Sequence, residues 1–132
     1  MKIGAEIALF NMLINELKNQ TDCKERVYAM IAPPNVTRPY AVLVTHSGVA
    51  QRYGQKADFE FLVCIYVYSE SIERLSNIGQ KIYALLNNAR LSYEGWRTTH
   101  CYVNARRILT EPVPSAQVLH CEEVEVIIRI SG

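Results

Sequence analysis

The residues best suited to chemistry are two His-Cys steps, His100 with Cys101 and His120 with Cys121. Imidazole and thiolate are both zinc ligands, and a histidine beside a cysteine can act as base to a thiol nucleophile. Adjacent residues on a strand point to opposite faces, so neither step chelates one ion by itself. The two could combine only across a hairpin. Segment 111–116 (EPVPSA) reads as a proline-marked turn centred near Val113. His100 lies thirteen positions before that centre and His120 seven after it, so the pairs miss each other. Ordinary strand positions are the better reading, and no metal or cofactor is expected. Every cysteine has a packing explanation, and none sits at a strand-to-helix elbow or helix N-terminus that would lower its pKa. Glu122 and Glu123 fall on opposite faces, whereas Glu123 and Glu125 share a face with Arg129, a pattern of solvated or salt-bridged strand residues. GxGxxG, GxxxxGK, GxSxG and HExxH are all absent from the sequence. The expectation is a protein that is not an enzyme. A small cytoplasmic enzyme using Cys101 or Cys121 with a histidine is the alternative.

The elements that carry these residues read in the order α-β-β-β-α-β-β. Ile3, Ile7, Phe10, Ile14 and Leu17, widened by Leu13, predict a one-sided surface helix that fades near 19–22. Segment 26–32 reads as a short strand, followed by a loop bracketed by Pro33, Pro34 and Pro39. Segment 40–45 (YAVLVT) is the next strand. Segment 47–57, with Gly48, Gly54, Arg52 and Lys56 and no acid, reads as a long, mobile hairpin connection. Segment 58–69 (DFEFLVCIYVYS) is the strongest strand, with Phe59, Phe61, Val63, Ile65 and Val67 on one face. Leu62, Cys64, Tyr66 and Tyr68 make the other face apolar too, so that face needs cover from this chain or from a neighbouring subunit.

Ser71 is placed to N-cap a second helix with Glu73 in its first turn, and Ile72, Leu75, Ile78, Ile82, Leu85 and Leu86 form its stripe. Strands over 98–109 and 117–130 complete the chain, the last with Val124, Val126, Ile128 and Ile130 on one face. The expected fold is α+β, a single domain over 1–132. It is a two-layer sandwich of an antiparallel or mixed sheet of about five strands with two helices on one face.

Composition bounds the rest. The chain has 132 residues, 49% apolar and 20% charged, with 14 Lys plus Arg against 13 Asp plus Glu. That suits one globular domain and disfavours disorder and a dedicated nucleic-acid binder. No apolar run reaches membrane-spanning length, and Glu6, Asn11 and Asn15 interrupt any secretory signal, so no membrane partner is expected. The four cysteines read as free thiols in a reducing compartment, with an extracellular disulfide framework the lesser alternative. The charge is uneven: Arg90, Arg97, Arg106 and Arg107 face one acid in their stretch, while Glu122, Glu123 and Glu125 face only Arg129. Either the strands pair and cancel within the subunit, or a basic edge meets an acidic edge on a neighbour and generates a ring or filament. Arg52 and Lys56 read as solvated, or in a ring as a lumen loop meeting passing DNA through phosphates.

The series VYAMIAPP, RPYAVLV, FEFLVCIYVYSES and the Ile78, Gly79, Ile82, Leu85, Leu86 helix resembles the tail completion or tail terminator proteins of long-tailed bacteriophages and related prophages, over roughly 3–130. Pro39 with Tyr40 and the strand-to-helix junction at 68–72 carry most of it. The resemblance implies a non-enzymatic subunit that assembles into a ring, commonly a hexamer, at the head-proximal end of the tail. Such a ring stops tube polymerisation and offers a head-joining surface. Its partners would be itself, a tail-tube protein and a head-completion or connector protein, in the host cytoplasm during assembly and in the tail or neck of the virion. The candidate interface on the doubly apolar strand and the split charges is Tyr66, Tyr68, Arg106, Arg107, Glu123 and Glu125. A different neck or adaptor protein of the same particle is a further alternative.

Overall fold

A computed structural model describes the backbone of residues 3–53, 56–112 and 118–132; within these, 46–53, 56–57, 110–112 and 118 are described by backbone alone. Eight elements follow in order: α1 (Ala5–Gln20), β1 (Val27–Ala29), β2 (Tyr40–Tyr53), β3 (Lys56–Ser69), α2 (Ile72–Leu86), β4 (Ser92–Tyr93), β5 (Trp96–Pro112) and β6 (Val118–Ser131). The six strands form one mixed sheet in the order β1-β2-β3-β6-β5-β4. Only β1 runs parallel to its neighbour, and every other pairing is antiparallel. The α+β expectation holds, with one strand more than foreseen.

Both helices pack on the same face. Leu9, Leu13 and Leu17 of α1 and Leu75, Ile78, Ile82 and Leu86 of α2 share one buried cluster with Phe61, Val63, Ile65 and Val67 of β3 and Val124, Val126, Ile128 and Ile130 of β6. The period-two pattern of β3 and β6 therefore reads directly as their buried face. α2 starts as foreseen: the Arg74 amide donates to Ser71 Oγ at 3.2 Å, a cap that contributes about 1 kcal/mol.

Three expectations need correction. α1 is rotated from its predicted stripe. Ala8, Leu9, Met12, Leu13 and Leu17 are buried, while Ile7 is 58% exposed. The helix is apolar around more than half its girth, so docking, not periodicity, selects the inward side. The long connection at 47–57 is mostly strand: β2 and β3 pair as far as Tyr53 opposite Lys56. Polar and glycine residues mark lack of burial there, but a two-stranded ribbon needs only backbone hydrogen bonds to continue. The side chains of Arg52 and Lys56 lie outside the described residues. The third correction is register. Thr110 pairs with His120 and Arg107 with Glu123, so paired numbers sum to 230 and not to the expected 226, while the expected turn itself falls largely on 113–117, outside the described residues.

A short hairpin escaped prediction. Glu94 (φ 49°) and Gly95 (φ 86°) link β4 to β5 with Tyr93 opposite Trp96. Both central residues have positive φ, the requirement of a type I′ turn, and glycine takes it at no steric cost. The Trp96 indole N–H donates to the Ile3 carbonyl at 2.8 Å, tying this hairpin to the N-terminal segment.

Candidate functional site

The face of the sheet opposite the helices carries the residues that the sequence singled out. Along β3 it presents Glu60, Leu62, Cys64, Tyr66 and Tyr68, alternating with the core residues. Register places Tyr66 between Val42 and Glu123, Cys64 between Val44 and Glu125, Leu62 beside Ile127, and Tyr68 between Tyr40 and Cys121. Tyr40 and Tyr68 stack with ring centroids 4.9 Å apart. None of these side chains joins the helix-covered cluster. They shield one another: Cys64 is 4% exposed, yet among the described residues no helix lies over it.

Charges on this face meet opposite charges within the subunit, two arginines against three glutamates. The Arg107 guanidinium lies 3.2 Å from Glu123 and 3.6 Å from Glu125. Asn104 Nδ2 donates to Glu125 at 3.0 Å, and Arg129 Nη2 to Glu60 at 2.7 Å. On the helix side, Arg106 pairs with Glu122 at 2.7 Å. Of the two readings left open for the uneven charge, the geometry realises cancellation inside the subunit for Arg106 and Arg107, and among the described residues not for Arg90 and Arg97. The face is consequently close to neutral and rich in tyrosine. Burial, then the neighbouring Cys64 and Glu123, pushes the Tyr66 hydroxyl up to about 12. Burial and the Glu123 carboxylate likewise raise the Cys64 thiol.

Of the candidate interface residues, Tyr66, Tyr68, Arg107, Glu123 and Glu125 thus lie on one face. Arg106 is on the other, turned toward α2. Its Nη1 donates to Gln80 at 2.9 Å, while its Nε and Nη2 hold Glu122, which is 1% exposed. Sequence reasoning did not single out Glu122 as buried. The signal was its parity with Val124 and Val126 along β6.

Among the described residues, the donors that could hold a metal ion are Cys64, Glu123 and Glu125, whose ligand atoms lie within 4.8 Å of one another. Arg107 already bridges both carboxylates, so a metal there would have to displace that ion pair. The two His-Cys steps do not combine. His100 pairs with Arg129 near one end of β5, and His120 with Thr110 near the other, ten residues or roughly 33 Å along the strand.

The four cysteines are free and buried. Burial pushes Cys23 and Cys101 each up to about 11, and the Cys101 thiol donates to the Leu86 carbonyl at 3.0 Å. Neither is an activated nucleophile. Two results follow. In folded protein at pH 7.5, a thiol probe should label Cys23 and Cys101 far more slowly than free cysteine, and in denaturant at the full free-thiol rate. Because their folded pKa lies above the unfolded one, the folded state binds these protons more tightly, and the stability they contribute should fall as pH rises from about 9 to about 11. Rapid labelling of one cysteine at neutral pH would restore the enzyme alternative.

No protein-family model matches the sequence, and no curated protein matches it. Among solved structures, the chain is similar to one from a structure described as the virion of a native gene transfer agent particle. The TM-score is 0.77 at 14% identity, over 98% of each chain. That likeness shows a shared fold across nearly the whole length of both. Among the described residues, no helix is long and apolar enough to cross a membrane.

Proposed function

We propose that this chain is a structural virion-assembly protein. It forms a ring, a hexamer in the simplest case, that caps the head-proximal end of a long phage tail, ends tube polymerisation and presents the head-joining surface. The carrying observation is the sheet face built by Tyr66, Tyr68, Leu62, Cys64 and Ile127, which no helix among the described residues covers. It is tyrosine-rich and internally charge-matched, the composition of a protein interface more than of a nucleic-acid surface. The likeness to a virion chain supports the same reading, since the fold recurs there from end to end. In that ring Tyr66, Tyr68, Arg107, Glu123 and Glu125 contact the neighbouring copy or the tail-tube protein. Arg106 supports them from the opposite face. Arg52 and Lys56 lie on the hairpin facing the lumen and passing DNA, and a connector protein meets the far side of the ring. The protein acts in the host cytoplasm during assembly and in the neck of the finished particle.

Sedimentation over a concentration series, with and without purified tail-tube protein, tests this together with electron microscopy. Rings seen alone or on tube ends are expected, and Tyr66→Arg with Tyr68→Arg should abolish them without unfolding the chain, because both side chains are half-buried at the surface. A monomer that never engages tube protein overturns the proposal. Binding to connector without tube would favour another neck or adaptor role.

A further inference from the structure

An open pocket of about 540 Å³ lies where segment 88–92, following α2, runs beside the start of β5. Its wall is fixed by backbone. The Asn88 amide donates to the Cys101 carbonyl at 2.8 Å, and the Thr98 amide to the Leu91 carbonyl at 2.9 Å. The Leu91 amide donates to Thr98 Oγ1 at 2.9 Å, and that hydroxyl in turn donates to the Ala89 carbonyl at 3.2 Å. Arg90, Arg97 and His100 line it with Ser92 and Thr99, and no acid does. Two other surface depressions differ in this respect. One contains the paired Arg38 and Glu70, and the other sets Asp22 against Lys81.

The arginines themselves are distinctive. Arg38, Arg74, Arg106, Arg107 and Arg129 each pair with an acid. Arg26 donates to the Pro39 and Asp22 carbonyls. Among the described residues, Arg90 and Arg97 have neither kind of partner. Two guanidiniums, an imidazole and two hydroxyls around an acid-free pocket are donors for a phosphate. Position narrows the source. Arg97 pairs with Ser131, Ser131 with Asp58 and Asp58 with Gln51, so one transverse row joins the pocket to the β2/β3 hairpin. Arg52 on β2 stands just beyond that row, three strand spacings or about 14 Å across the sheet from β5, and Lys56 on β3 two spacings or about 10 Å. The spread matches a duplex backbone better than a single small anion, even with Asp58 in the row.

We propose that this pocket is a phosphate site that holds the backbone of duplex DNA through Arg90 and Arg97. The site is defined within one subunit and stands whether or not the chain forms a ring. Fluorescence anisotropy of a labelled 20-base-pair duplex at about 50 mM salt tests it, beside titration with inorganic phosphate followed by the amide signals of Thr99 and His100. Duplex binding should weaken by tenfold or more in Arg90→Ala with Arg97→Ala. The slope of log affinity against log salt should fall by about 1 to 2, as expected for one or two lost phosphate contacts. The charge-matched control, Arg38→Ala with Arg74→Ala, should change little, and the melting temperature and assembly of the pocket variant should be those of the parent. Equal duplex binding by parent and pocket variant overturns the proposal. So does absence of duplex binding by the parent, including the case in which inorganic phosphate alone shifts Thr99 and His100.

Discussion

Gly79→Ala should destabilise the chain by about 2–4 kcal/mol, although alanine is the better helix former. A Cβ built at Gly79 falls inside the Glu122 carboxylate. A flexible surface glutamate would swing away at little cost. Glu122 cannot, because it is 1% exposed and its Oε1 is held by Arg106 Nε and Nη2. Making room for one methyl means breaking that buried pair, which costs about 3–5 kcal/mol. The alanine returns about 1 kcal/mol of helix propensity. For a chain of this size the melting temperature should drop by roughly 8–15 °C. A double-mutant cycle isolates the cause: in a Glu122→Ala background, Gly79→Ala should be near neutral or stabilising, since the obstacle is gone. An equal penalty in both backgrounds would show that the approach of α2 to β6 is not what requires glycine there.

How much of this was legible in the sequence follows the physics of each signal. Alternation in β6 exposed its buried face, because a half-buried strand has no other way to sort apolar from polar residues, whereas β3, apolar on both faces, announced a strand but not which face the helices cover. The Ser71 cap was legible because it is a local hydrogen bond. Burial of α1 was not: a helix with apolar residues on most sides has several acceptable faces, and Ile7 lost to Leu9 and Met12 only once the sheet was in place. The ribbon of β2 and β3 past Thr45 was hidden because its pairing is backbone chemistry, and composition reports burial. The parallel pairing of β1 with β2 joins Val27 to Ala41 across a proline loop and leaves no mark on either segment.

The candidate interface shows the same division. That the second face of β3 would be apolar was visible in the residues themselves. That it would be lined by Arg107, Glu123 and Glu125 depended on β6 lying between β3 and β5, a fact of topology. The pocket at Arg90 and Arg97 likewise depends on segment 88–92 folding back along β5, which no local pattern announces. Residues that act in groups become legible only when the pairing that gathers them is known.

Arg106→Met should cost about 3–5 kcal/mol, and more than Glu122→Leu, although the two changes remove the same ion pair. The asymmetry comes from what each leaves behind. Without Arg106, Glu122 remains a carboxylate in the core, with Oε2 already lacking a hydrogen-bond partner. An unpaired buried charge of that kind is strongly destabilising. Without Glu122, Arg106 keeps Gln80 as an acceptor and reaches water, since its side chain is 26% exposed. The double change, Arg106→Met with Glu122→Leu, should recover most of the stability lost in Arg106→Met, because no charge is then stranded. Denaturant unfolding of the three variants gives the comparison, and a larger loss for Glu122→Leu than for Arg106→Met would refute the reasoning. The same set separates folding from assembly. Arg106 and Glu122 face α2, whereas Arg107 and Glu123, one position along on each strand, face the uncovered side. If that side is the contact between copies, the double variant should fold and still assemble, whereas Arg107→Glu should fold and fail to.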